Sequence, residues 1–84
     1  MEINELRYFY HVAQAKSFSR GAELSHVSPP AISKAIRKLE EELEPRLFAR
    51  TTRRVALTDS GEILLAHCHQ LFRKLADIRR DLDE

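Results

Sequence analysis

The chain has 84 residues, 43% of them hydrophobic, a single cysteine and a formal net charge of +1. That length supports one small domain, a lone cysteine excludes an internal disulfide and suits a reducing compartment, and the apolar run Ile63–Ala66 is far too short to span a bilayer. The small net charge conceals an uneven distribution, +4 over residues 16–39, −4 over 40–44 and +4 over 45–58, which predicts a polarised surface with one face for a polyanion, ordinary solvated helix faces being the alternative.

The opening MEINELRYFY is amphipathic and acidic, not a basic leader, so no signal peptide is expected and the protein is expected in the cytoplasm. Leu6, Phe9, Tyr10 and Ala13 recur at helical steps and predict a first helix over Asn4–Lys16, with Asn4 as its N-cap. Ser17-Phe18-Ser19 breaks it. Ser19 is the expected cap of a short second helix that carries Ala22 and Leu24 and ends around His26. Only Val27 and Ser28 separate this from a third helix, so the two must cross steeply, as in a helix-turn-helix.

The third helix, SPPAISKAIRKLEEEL over Ser28–Leu43, is the most informative stretch. Ser28 can cap it, and Pro29 sits at the first helical position, where a missing N–H costs nothing. Ile32, Ala35, Ile36, Leu39 and Leu43 make the buried stripe. Pro30, Ser33, Lys34 and Arg37 occupy the other side, which turns acidic at Glu40–Glu42. Small and basic residues on the exposed face of the first half suit a DNA groove, and the acidic second half could not also lie against phosphates. The helix is therefore expected to enter N-terminus first. Arginine can grip guanine with two hydrogen bonds, and serine can bond a base edge or a phosphate. Plain surface charge is the other reading of Lys34 and Arg37.

Pro45 stops this helix by disfavouring helical geometry at Glu44. Leu47-Phe48-Ala49 and Val55-Ala56-Leu57 then flank the polar tip Arg50–Arg54, which predicts a two-stranded hairpin, or wing, over about 47–57. Arg50, Arg53 and Arg54 suit a narrow minor groove or phosphates, or a surface pair with the acidic run 40–44. The run 40–44 itself is expected to be a solvated face. Thr58 is the expected cap of a long last helix over 59–84, with acids in its first turn. There Leu64, Cys68, Leu71, Leu75, Ile78 and Leu82 follow steps of four and three. At 1.5 Å per residue, some twenty-four residues span roughly 36 Å, more than the small domain can cover. The stripe therefore predicts self-association, the alternative being a helix that folds back over the first one. Leu65 and Phe72 lie off the stripe, where packing on the domain is open to them. The stripe is still running at Leu82, so a longer chain is expected.

His67-Cys68-His69 points in different directions on a helix and cannot converge on one metal ion. There is no glycine-rich phosphate loop, nucleophile–base pair or carboxylate pair, so an enzyme is not expected. The rivals to sequence-specific DNA binding are a helical protein-docking module and a nucleoid-type DNA binder without sequence preference.

The segments LRYFYHVAQAKSFSRGAELSHVSPPAISKAIRKLEEEL, RLFART and LTDSGEILL, in this order, closely resemble the N-terminal DNA-binding region of LysR-type transcriptional regulators, over nearly the whole chain. The resemblance implies a mainly α, winged helix-turn-helix domain at 1–58, with residues 18–37 as the helix-turn-helix proper. It implies a linker helix at 59–84 that pairs two protomers, and a C-terminal effector domain that is absent from this chain and would hold any small-molecule ligand. No cofactor is implied for the domain itself. The partners implied are double-stranded DNA carrying an interrupted inverted repeat and a second copy of the chain, as a dimer or a dimer of dimers, with no membrane. Pro30, Ser33, Lys34 and Arg37 match the family's recognition helix, with Pro29 beside them among the expected DNA-facing residues; Arg50 and Arg53 match the wing, which Arg54 adjoins, and Ser17 and Ser19 match the phosphate-touching start of the second helix. The stripe Leu64, Cys68, Leu71, Leu75, Ile78 and Leu82 lies on that linker helix as its expected dimer interface. Two departures stand out: Pro29 where the family often has glutamine, and Glu44 where it favours glycine.

Overall fold

The computed structural model describes residues 1–49 and 54–83. Four helices follow in chain order: α1 (Ile3–Ala15), α2 (Phe18–Ser25), α3 (Pro29–Leu43) and α4 (Asp59–Leu82). The first three form a compact body, and α4 draws the molecule out to 48 × 25 × 20 Å.

Local chemistry sets each helix start. The α1 N-cap is Glu2, not Asn4: the Glu2 backbone N–H donates to Glu5 Oε1 at 3.1 Å, one arm of a capping box that a single asparagine does not supply. Helix α2 is capped by Ser17, not Ser19, because Ser17 Oγ accepts the Arg20 N–H at 3.1 Å. Ser19 lies inside the first turn, exposed. Ser28 caps α3 by accepting the Ala31 N–H at 3.2 Å, and Thr58 caps α4 by accepting the Gly61 N–H at 3.0 Å, both as expected.

The core is a cluster of Phe9, Val12, Ala13, Ala22, Ile32, Ile36, Leu39, Leu47, Phe48 and Cys68. Phe48 meets the rings of Phe9 and Phe18 at 5.3 and 5.4 Å, so the residues after α3 close one side of it. Helices α1 and α2 approach closely because Gly21 lacks a Cβ, which would stand 2.5 Å from Val12 Cγ2.

Between α3 and α4 the chain doubles back. Phe48 and Leu57 form one antiparallel bridge, flanked by bonds from the Ala49 N–H to the Ala56 carbonyl (2.8 Å) and from the Thr58 N–H to the Leu47 carbonyl (3.0 Å). No longer strand pairing is present among the described residues. The expected tip, with Arg50 and Arg53, lies outside them.

Candidate nucleic-acid interface

The α3 helix divides its two sides cleanly. Ile32, Ile36 and Leu39 are buried, while Pro29, Pro30, Lys34 and Arg37 are exposed and Ser33 is half-buried. Pro30, Lys34 and Arg37 follow steps of four and three, which stack them on one stripe opposite the core. Glu41 continues that stripe one turn on and is exposed, so the surface changes sign along the helix. That charge pattern favours an anionic partner at the N-terminal half and disfavours one at the C-terminal half.

Backbone hydrogen bonds hold the turn that presents this helix. His26 takes a left-handed conformation (φ 58°, ψ 39°), and its N–H reaches the Ala22 and Glu23 carbonyls, while the Val27 N–H donates to the Ala22 carbonyl at 3.1 Å. Behind it, a ring nitrogen of His11, Nδ1, lies 2.8 Å from Ser25 Oγ and ties α1 to the end of α2. Burial, with the charges of Arg7 and His26, holds the His11 imidazolium below its usual range.

The acidic end of α3 is not simply a solvated face, contrary to expectation. Glu40 is 8% exposed, and its Oε2 accepts the N–H groups of Leu47 (2.8 Å) and Phe48 (3.3 Å). A carboxylate on α3 thus anchors the first residues of the doubled-back segment. Glu42 pairs with the N-terminal ammonium, and Lys38 pairs with Glu5 at 3.3 Å. The Glu2 backbone N–H holds the buried Glu5 carboxyl below the usual carboxylate range; burial opposes this and Lys38 assists it. Glu41, Glu42 and Glu44 are exposed, as expected of the whole run.

Thr58 and Gly61 fix the other side of the doubled-back segment. Thr58 Oγ1 donates to the Arg46 carbonyl at 2.6 Å. A Cβ on Gly61 would lie 2.1 Å from the Leu47 carbonyl oxygen, so only glycine lets α4 approach this close. Arg54 is exposed at the return of the wing. Glu40, Thr58 and Gly61 therefore frame the Phe48–Leu57 bridge, and sequence reasoning assigned neither Glu40 nor Gly61 to it. The signal for Gly61 was a glycine two residues inside a helix start, where a better helix former is the default.

On α4, Leu64, Leu65 and Phe72 pack against the body, and Cys68 is 1% exposed. Cys68 therefore belongs to its own domain's core and not to an intermolecular seam. Burial pushes its thiol up to about 11, so it is an unreactive packing group. Leu71 and Leu75 are half-buried, and Ile78 and Leu82 are 50% and 79% exposed, so the outer part of the stripe is uncovered by this chain. An apolar groove of about 680 Å³ runs beside it, lined by Met1, Leu6, Leu43, Leu64 and Leu71, with Lys74 at the rim. The neighbouring His69 faces Tyr10 and Gln14 on α1. No helix among the described residues is long and apolar enough to cross a membrane.

A helix-turn-helix with a basic, exposed N-terminal half on its second helix, followed by a doubled-back segment and a projecting helix, defines a DNA-binding module. Residues 3–62 match the family model described as "Bacterial regulatory helix-turn-helix protein, lysR family". The chain belongs to that family. It is 38% identical over 84 residues to the HTH-type transcriptional activator IlvY of Salmonella typhimurium, spanning all of this chain and 28% of that protein. Its fold is similar to the BenM DNA-binding domain in complex with catB site 1 DNA (TM-score 0.90, 31% identity, 95% of this chain and 89% of that one). It is similar also to the CbnR DNA-binding domain in its DNA complex (TM-score 0.84, 33% identity, 96% and 92%). The chain is thus a DNA-binding domain of the LysR family, a family of transcriptional regulators and not of enzymes, and it spans just over a quarter of the length of its IlvY relatives.

Proposed function

We propose that this domain is the DNA-reading end of a longer bacterial regulator that acts in the cytoplasm, and that it binds an interrupted inverted repeat as a homodimer paired through α4. In this reading α3 enters the major groove N-terminus first. Pro30, Ser33 and Arg37 face base edges, Lys34 meets phosphate, and Ser17 and Ser19 approach the backbone. The wing is a two-stranded hairpin whose Arg50, Arg53 and Arg54 reach the adjacent minor groove or its phosphates. The dimer surface is the outer stripe Leu64, Leu71, Leu75, Ile78 and Leu82 with the groove beside it. Pro29 has no side-chain donor, so readout at the first helical position is by shape and apolar contact. A small-molecule effector would bind beyond α4. The observation that carries the reading is the exposed Pro30–Lys34–Arg37 stripe set opposite the buried face of α3.

Selecting duplexes from a random pool and titrating them across salt concentration tests it. If two protomers each neutralise about four phosphates, log K falls against log salt with a slope near −7. Arg37→Ala is expected to weaken the selected duplex by about 1–3 kcal/mol and spare random DNA, whereas Lys34→Ala weakens both alike. A slope near zero, or equal losses on both DNAs for Arg37→Ala, defeats the proposal.

A further inference from the structure

The last contacts that α4 makes with the body differ in kind from the core. Leu64, Leu65 and Cys68 pack apolar surface, which fixes proximity but is not directional. At the point of departure stands a polar and aromatic clasp. Tyr10 Oη lies 3.2 Å from His69 Nδ1, and the two rings meet edge-on, 5.2 Å apart at 86°. Tyr10 also meets Phe72 at 5.2 Å, and the Arg7 guanidinium stands 4.6 Å over the Phe72 ring. Gln14 Nε2 reaches His69 Nε2 at 3.4 Å. Arg7, Tyr10 and Gln14 follow steps of three and four, so one face of α1 meets two side chains one turn apart on α4. Edge-on rings, cation–π contacts and hydrogen bonds each have narrow geometric optima. Such a set fixes an angle. Among the described residues, α4 has no further contact of this kind beyond Phe72, and Ile78 and Leu82 are exposed.

We infer that Tyr10, His69, Phe72 and Arg7 are positioning residues that set the angle of α4 to the DNA-reading body, and so the half-site spacing that a dimer accepts. The inference rests on the dimer reading above. Its leverage follows from length: Phe72 to Leu82 spans about 15 Å, so a tilt of about 12° at the clasp displaces the far end by about 3 Å. That is close to the rise of one base pair, taking about 34 Å per turn of about 10 pairs. Because a two-fold axis applies the tilt to both protomers, small changes at the clasp move the two reading helices by whole base-pair steps. None of these four side chains lies on the exposed stripe of α3, so reading of a single half-site does not depend on them.

The test uses the 84-residue chain on duplexes selected from a random pool, remade with the half-site spacing shortened or lengthened by one base pair, and on a duplex with one half-site. Binding is measured for the wild type, His69→Ala and Tyr10→Phe/His69→Ala, with sedimentation of each protein on DNA. The expected result is that the wild type prefers the selected spacing by about tenfold and that the variants reduce this to about threefold or less. Single half-site affinity and the sedimenting mass are expected to stay unchanged. A variant spacing profile equal to that of the wild type overturns the inference, as does a wild-type dimer indifferent to spacing. Half-site affinity that falls in step, or a variant that alone fails to pair, places these residues in recognition or in the dimer contact and overturns it as well. A wild-type chain that stays monomeric on DNA overturns the dimer reading and this inference together.

Discussion

Replacing Glu44 by glycine should stabilise this domain, and the size of the effect separates two causes. Glu44 closes α3 at φ 83°, ψ −50°, outside the left-handed well that Lys16 (φ 55°) and His26 (φ 58°) occupy, and its N–H bonds the Glu40 carbonyl at 2.7 Å. A side chain held there stores about 1–3 kcal/mol of backbone strain. Its carboxylate also stands at the negative end of a helix, an unfavourable placement of about 0.3–1 kcal/mol. Glycine relieves both but loosens the unfolded chain by about 0.4–1 kcal/mol. The net expectation for Glu44→Gly is a gain of about 1–2 kcal/mol, which raises the melting midpoint of a domain this size by on the order of 10 °C. Glu44→Ala is the control. It removes the charge and keeps the Cβ, so its gain is confined to about 0.3–1 kcal/mol. Thermal and urea unfolding by circular dichroism read both variants. If alanine stabilises as much as glycine, the backbone at this turn is unstrained and the reasoning fails.

Other perturbations reach the wing, the α4 start and the helix-turn-helix. Glu40→Ala leaves the Leu47 and Phe48 N–H groups without their carboxylate and should cost about 2–4 kcal/mol in urea unfolding, with Glu40→Gln, which keeps an acceptor oxygen, losing roughly half as much. Gly61→Ala gains about 1 kcal/mol of helix propensity, yet places a Cβ 2.1 Å from the Leu47 carbonyl oxygen, so overpacking of about 1–3 kcal/mol should prevail and lower the midpoint. His11 has a folded pKa below its usual 6.5, so the unfolded chain takes up the proton first. Stability should therefore fall as pH drops below about 6.5, until the folded pKa is passed, and His11→Gln should flatten that dependence in pH-resolved melts.

What was legible in the sequence was what one turn of chain decides. Ser28 and Thr58 announce their helices because a cap is a bond between residues three apart, and Pro29 adds a fixed φ. The misplaced caps fail for the same local reason. Glu2 and Glu5 compete with Asn4 in a two-sided box, and Ser17 and Ser19 differ only in which N–H each can reach. The reading stripe was legible because Pro30, Lys34 and Arg37 share a helix face whatever the fold. Glu40 was not, since its partners lie seven and eight residues away and meet it only after the chain turns at Glu44 and Pro45. In a run of acids, a buried carboxylate carries no mark of its own.

Helix α4 shows the limit most clearly, because its apolar residues serve two surfaces at once. Steps of four and three keep Leu64, Cys68, Leu71, Leu75, Ile78 and Leu82 near one line, but a straight helix drifts about 20° per heptad from such a line. The body takes a neighbouring line, Gly61, Leu65, Cys68 and Phe72, spaced four, three and four. Cys68 lies on both. Periodicity alone assigns it to either surface, and only the position of the body decides, by burying it to 1% exposure within its own chain. The same division explains why Leu64 and Leu71 are partly covered while Ile78 and Leu82 are not: past Phe72 the body ends and the helix continues. A long amphipathic helix on a small domain must leave apolar surface uncovered where it outruns the domain. In α4 that surface is most open from Ile78, nearly two turns beyond Phe72, the last α4 residue to meet Tyr10 with its ring.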